Sequence, residues 1–420
     1  MLNRTISPEV KQIDKIDFVK PQIFDISKDV KLFFMKEVPN ETARLDLYFD
    51  AGTVNGDAGI ASFVNGMLLS GTDEKTSTQI NNEIDELGGF FESGVSNENA
   101  VITMYSLREN VLPILKVMTN AIQNLVFHQH EVEELVNDRR QKFKTSMEKV
   151  SFLAQRAFQQ RLFSESIYGR VTNESDFDTI STDSLKQFFK KNYLNGLTKV
   201  VVVGDLTQDE IDEIIDLIGS WASNSTTEFE KNIKNLKGYA HLVKDGAVQT
   251  AIRVGRMLFN KTHEDYNDFL ILNTIFGDYF GSRLMSNIRE DKGYTYGIGT
   301  MVAELHNVGY FIIATEVGKD VKDATLTEIQ NEITRIQTEL VGEEELNLVK
   351  NYLMGQLLKS ADGPYSMTDL YMSVEPYGLD LDFYNTSIDS LNNITPERIQ
   401  ELAVKYLNWM ANDNARRAYR

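Results

Sequence analysis

Two stretches of this 420-residue chain read alike. ISTDSLKQFFKKNYL ends at Tyr193-Leu194 and ITPERIQELAVKYL ends at Tyr406-Leu407, an offset of 213 residues. Each opens on a hydroxyl residue suited to capping a helix, Ser181 and Thr395, and each continues with apolar residues at helical spacing. Upstream, Tyr168-Gly169 and Tyr377-Gly378 each lead through a polar stretch into that helix. Two matches in one register point to a duplication, so the chain is restricted to two copies of one plan. Length agrees, because a chain of this size exceeds what one hydrophobic core supports. The predicted division is 1–222 for the first copy, a polar linker at 223–237 containing SNSTTEFEKNIKN, and 238–420 for the second. The copies differ at their ends. LTKVVVVGDL, a strand, follows Leu194, whereas NWMANDNARRAYR follows Leu407 without a strand pattern, so the final strand of the second copy is expected to be lost or replaced.

Within each copy a strand-like run comes first. Leu45, Leu47 and Phe49 alternate with Arg44, Asp46 and Tyr48, which predicts a strand over 43–49 with one buried face; 251–258 reads similarly. Helical spacing follows, for example Val111, Leu115, Met118, Ile122 and Leu125 within 107–125. Such runs of strand and helix predict an α+β fold of layered helices and sheet.

Composition narrows the chemistry. With no cysteine in the chain, disulfides, thiolate metal sites and a cysteine nucleophile are excluded, leaving His, Asp and Glu as strong metal ligands. A formal net charge of −19 argues against nucleic acid or an anionic membrane as partner and favours basic or neutral ligands. No run of eighteen apolar residues occurs, and MLNRTISPEV has neither a basic n-region nor an apolar h-region. The expected location is cytoplasmic, or periplasmic if a leader has already been removed. The five histidines, His128, His130, His241, His263 and His306, are scattered, and none stands at a metal-ligand spacing with a second acid.

Gly59–Thr72 reads GIASFVNGMLLSGT, with Ile60, Phe63, Val64, Met67 and Leu68 on one apolar face and Gly71 as a stop. The helix predicted over 77–87 follows, closing on Gly88-Gly89, and then the strand stretch FFESGVSNENAVITMYSL. This arrangement resembles the peptidases of family M16, the pitrilysin and insulinase group, whose inverted zinc motif H-x-x-E-H lies on such a helix. Residues i, i+3 and i+4 share a helix face, which lets two imidazoles hold zinc while the carboxylate activates its water. Here Ser62, Asn65 and Gly66 stand at those three positions. The third family ligand, a Glu, would fall near RRQKFKTSM, yet 139–147 contains no carboxylate. The resemblance therefore implies a retained fold, two M16-type domains of mostly antiparallel sheet covered by helices, with no metal in this chain.

The second copy contains FGSRLMSNIREDKGYTYGIGT, which resembles the family stretch S-R-L-F-x-x-L-R-E-K-x-G-L-A-Y. In the family, an Arg and a Tyr seven residues later reach across a closed chamber to zinc-bound peptide; Arg289 and Tyr296 match that spacing. The resemblance spans about residue 30 to Leu407 and implies half of a clamshell heterodimer. Its partner would be an active subunit with intact H-x-x-E-H and the zinc, and its substrate an unfolded peptide. Arg289 and Tyr296 would then be catalytic in trans, with this chain inert alone. A structural or peptide-binding relative without peptidase role is the alternative. A self-sufficient hydrolase ranks last, because neither a G-x-S-x-G elbow nor a cysteine is present.

Overall fold

A computed structural model of the chain describes residues 12–36, 41–57, 59–221 and 238–407, with Phe229, Ile233, Lys234 and Leu236 between them. Apart from those four positions, the predicted linker 223–237 lies outside the described residues, as does the unusual stretch from Asn408 to Arg420. Among the described residues, nine strands form two sheets. In the first, β1 (Gln22–Asp25), β2 (Lys31–Lys36), β3 (Thr42–Phe49), β4 (Phe90–Val95), β5 (Ala100–Leu107) and β6 (Leu197–Gly204) lie in the order β1-β2-β6-β3-β5-β4. Only β2 and β6 run parallel; the remaining pairs are antiparallel. The second sheet is antiparallel with order β7-β9-β8, from β7 (Gln249–Leu258), β8 (Thr295–Leu305) and β9 (Val308–Gly318). The class is α+β, as the strand and helix runs predict.

Helices α1 (Ile60–Asn65), α2 (Ser77–Glu86), α3 (Val111–Gln123), α4 (Gln129–Met147), α5 (Val150–Phe163), α6 (Thr182–Phe189) and α7 (Gln208–Ile218) belong to the first half. The second contributes α8 (Tyr266–Phe276), α9 (Lys322–Thr338), α10 (Glu343–Ser360), α11 (Pro364–Val374), α12 (Asp382–Asn393) and α13 (Pro396–Tyr406). The repeated segments fold alike. Ser181 and Thr395 each accept a hydrogen bond from the backbone N–H three residues on, Ser184 and Arg398, at 3.2 and 3.3 Å. Each repeat is preceded by a short 3₁₀ turn, Ile167–Gly169 and Glu375–Tyr377, at the two Tyr-Gly pairs.

Each half also covers the sheet of the other. Met372 of α11, with Tyr365 and Tyr371, packs on Phe33, Met35, Val201 and Val203 of the first sheet. Conversely, α5 lies on the second sheet, its Phe163 ring edge-on to Tyr310 at 5.5 Å. This exchange corrects the expectation of one buried face on β3. Arg44 and Asp46 point away from the first core yet are buried, Asp46 to 1% exposure, because α11 closes over them. Arg44 bonds Asp46 through Nε and Nη2 (2.9 and 2.7 Å) and reaches Asp369 of α11 at 2.6 Å. Burial alone would lower the Arg44 pKa, but the hydrogen bonds to Asp46 and Asp369 outweigh it and hold the guanidinium charged. A period of two in the sequence showed this polar row; which surface would cover it depended on a helix more than 300 residues downstream.

In the second half, α13 is clamped to α8 by one carboxylate. Asp265 is buried and accepts from Arg398 (2.5 Å), Lys405 (2.6 Å) and the Tyr406 hydroxyl. Burial alone would raise its pKa; hydrogen bonds from Lys405, Tyr406 and Arg398 prevail and hold it well below the usual carboxylate range. A folded pKa below the unfolded value means the stabilisation is complete above about pH 4 and is lost as pH falls through the folded value. Asp265→Asn is expected to cost about 2–3 kcal/mol at pH 7, discounted from a fully buried pair because Arg398 and Lys405 are partly solvated. The deficit shrinks below about pH 4. Urea unfolding of both proteins across that range checks it.

Candidate functional site

The helix that resembles a zinc motif begins as predicted but is shorter. Regular α-helix runs from Ile60 only to Asn65, and the chain then continues in turns towards Gly71, with Phe63, Val64, Met67 and Leu68 in the core. Ser62, Asn65 and Gly66 are brought together as the spacing requires. What faces them is a residue of α4. Arg139 donates from Nη1 to Ser62 Oγ at 2.7 Å, and its guanidinium carbon lies 4.6 Å from the centre of the Phe63 ring. A Cβ placed on Gly66 would come within 2.5 Å of Arg139 Nη2, so the absence of a side chain there makes room for the guanidinium. Asn65 is tied elsewhere: its Nδ2 donates to the Tyr193 hydroxyl (3.2 Å), and its Oδ1 accepts from Ser93 Oγ of β4 (3.0 Å).

Arg139 is the residue that sequence reading missed. The signal was present, since Arg139 lies 77 residues beyond Ser62, at the start of the stretch where the third family ligand belongs. Reading that stretch for a carboxylate showed only that none was there. The family zinc does not fit these residues: a serine hydroxyl, a hydrogen-bonded amide and a glycine offer no imidazole or carboxylate, and a cation already occupies the space between them. Burial lowers the Arg139 pKa, but only from a value far above neutrality, so the group stays charged. Beside this position a cleft of about 380 Å³, lined by Asn65, Gly66, Ser70, Asn81, Ser93 and Glu131, opens along β4, an edge strand.

Arg289 and Tyr296 lie in the second half on either side of one turn. Arg289 belongs to a π-helical turn, Met285–Asp291, which closes with Tyr294 N–H donating to Ile288 O at 3.0 Å. Gly293 takes φ +66°, a left-handed conformation that lets the chain reverse into β8. Thr295 fixes the strand start, its hydroxyl donating to Glu316 O at 2.8 Å. Between Thr295 and Ile298 the register with β9 slips, and this bulge displays Tyr296 at 95% exposure. Arg289, its side chain 34% exposed, lies over the ring of Phe280 at 4.6 Å and 3.6 Å from Glu290. Among the described residues no hydrogen bond or ring contact joins Arg289 to Tyr296. Phe280 is a second residue the sequence did not single out; it is exposed, unlike the core aromatics, and its visible role is to brace the guanidinium.

The histidines take ordinary structural places. His128 and His130 have ring centres 6.1 Å apart at the start of α4, and His263 stacks on Phe259 at 4.2 Å while its Nδ1 accepts from Asp265 N–H. Among the described residues, no helix is long and apolar enough to cross a membrane.

Two halves of one α+β plan, a helix with a zinc-motif frame and a downstream Arg and Tyr define a protein of the duplicated metallopeptidase type. The chain belongs to peptidase family M16. Residues 33–170 match the family model described as insulinase (peptidase family M16), and 179–353 match the peptidase M16 inactive domain. Among relatives, an uncharacterized zinc protease of Rickettsia felis is 26% identical over 73% of this chain and 74% of its own. The mitochondrial-processing peptidase subunit beta of Neurospora crassa is 22% identical over 78% and 73%. The same fold occurs in a peptidase M16 inactive domain from Pseudomonas fluorescens, with TM-score 0.84, 22% identity, and 93% and 96% of the two chains covered. A protease from Helicobacter pylori gives TM-score 0.81 at 14% identity, with 95% and 98% covered.

Proposed function

We propose that this chain is the zinc-less subunit of a two-chain M16 peptidase and supplies Arg289 and Tyr296 in trans to peptide held at the zinc of its partner. The observation that carries the reading is the display of Tyr296 on a bulge, one turn after an Arg289 braced by Phe280. A buried structural role would leave neither side chain so presented. When a peptide bond is attacked, negative charge gathers on the former carbonyl oxygen. A guanidinium and a phenol fixed in a dry chamber stabilise that oxygen more than the neutral ground state, and so lower the barrier. Zinc, supplied by the partner, would activate the attacking water; this chain would orient peptide and receive the charge. The Neurospora crassa relative is itself named as one subunit of a peptidase, which supports a multichain reading. The acidic balance of −19 favours basic, unfolded peptides as substrates.

A second reading, peptide binding without hydrolysis, is favoured by the cleft beside β4. Among the described residues no strand pairs with its outer edge, so an extended peptide could add there, with polar and apolar side chains alongside to select it. Purification of the tagged chain from its native cells, followed by assay on an unfolded peptide with and without a zinc chelator, separates the two. Co-purification of a chain bearing H-x-x-E-H with chelator-sensitive cleavage supports the peptidase subunit. Peptide capture with no such chain and no cleavage leaves the binding protein.

A further inference from the structure

Among the described residues no carboxylate pairs with Arg139, although its guanidinium is partly withdrawn from water. Arg44 and Arg283, also withdrawn from solvent, each face a carboxylate, Asp46 and Glu345. The acid that acts on Arg139 is its chain neighbour Asp138, and that group is engaged with Lys142 at 2.7 Å. Ser62 Oγ accepts from Arg139 and gives its own proton to Gly59 O (2.9 Å), so it positions the guanidinium without neutralising it. Nη2 donates to no group among the described residues and is not enclosed, so it keeps contact with solvent. It does so against Gly66, which is exposed and lines the cleft along β4.

A cation half-removed from water and left without a counterion gains by receiving one, and a charge-assisted hydrogen bond to a carboxylate is the strong form of that contact. A small free anion would find one cation there and little else to hold it. A peptide strand added to β4 is held first by main-chain hydrogen bonds, and it can bring a carboxylate of its own to the end of the cleft. Because Gly66 has no side chain, nothing of that residue stands between such a group and Nη2. We propose that Arg139 receives a carboxylate carried by an extended peptide on the β4 edge, at the place where family members hold zinc. The inference rests on the peptide-binding reading of that edge and names the group the edge selects. Glu131, on the same lining, lies about 12 Å away along α4, beyond one screening length at physiological salt, so it does not oppose an anion at Gly66. It suits instead the basic residues that the net charge of −19 favours elsewhere in the peptide. No covalent step is involved.

The test is fluorescence anisotropy of the full chain at physiological salt, with an N-terminally labelled, unfolded peptide of Val, Ser and Lys residues long enough to pair with all six residues of β4. The peptide is made as the free acid, as the C-terminal amide, and as the amide with one internal Glu. The free acid or the Glu peptide is expected to bind about 10-fold tighter or more than the plain amide, and the tighter of the two identifies the source of the carboxylate. The net negative charge of the chain works in the opposite direction, so this preference reports a local cation. Arg139→Gln should bring all three peptides to the affinity of the plain amide. Arg139→Lys should restore part of the difference, since it keeps a charge without the planar fork. The comparison of acid with amide in the unaltered chain needs no variant, so a variant that fails to fold does not hide a failure. If the three peptides bind the unaltered chain alike, the carboxylate site is overturned while peptide binding stands; if none binds, both fall. A preference for the carboxylate that persists in folded Arg139→Gln also overturns the proposal, because the recognition then lies elsewhere.

Discussion

Arg289→Ala, assembled with a partner that bears an intact H-x-x-E-H, is expected to lower kcat on an unfolded peptide by about 10²- to 10³-fold, the usual loss on removing one oxyanion donor. Assembly should be unchanged, because the side chain is held within its own chain, over Phe280 and beside Glu290. Lowering of kcat and kcat/KM together, with KM little altered, would mark an interaction made mainly in the transition state. Arg289→Lys should recover part of the rate: it restores a charge but not the planar fork. Single-turnover kinetics of the purified complex reads all of these. Unchanged kcat in Arg289→Ala would sink the in-trans role and leave the binding reading in place.

The second large effect concerns the motif helix. Restoring the three family residues with Ser62→His, Asn65→Glu and Gly66→His should not produce a zinc site. A side chain at position 66 collides with Arg139 Nη2, and a guanidinium at the metal position repels a divalent cation. Adding Arg139→Glu removes both obstacles and supplies the missing oxygen ligand. The fourfold variant is then expected to retain about one zinc per chain after dialysis, against none for the threefold variant, as read by elemental analysis. Tight zinc binding by the threefold variant would show that Arg139 moves aside easily once Ser62 is replaced, and that its charge does not bar the metal.

Both experiments turn on residues whose legibility differed. The capped helices at Ser181 and Thr395, the strands around Leu45 and Ala251, and the turn at Gly293 were readable because periodicity, caps and turns are written among neighbouring residues. The altered motif at Ser62, Asn65 and Gly66 was readable for the same reason: i, i+3 and i+4 share a face wherever a helix forms. Phe280 and the bulge at Tyr296 were not, because exposure and register slips depend on which strand lies alongside.

By itself, then, the sequence determined the duplication, the α+β class, the frame of the motif helix and the residue types within it. Only the tertiary structure decided that α11 buries Arg44 and Asp46, and that Arg139 fills the place between Ser62 and Gly66. The physical reason is the same in each case. A local pattern fixes the direction of a side chain from its own backbone. The group that meets it arrives from 77 to 325 residues away, and that meeting is set by packing of whole helices and sheets.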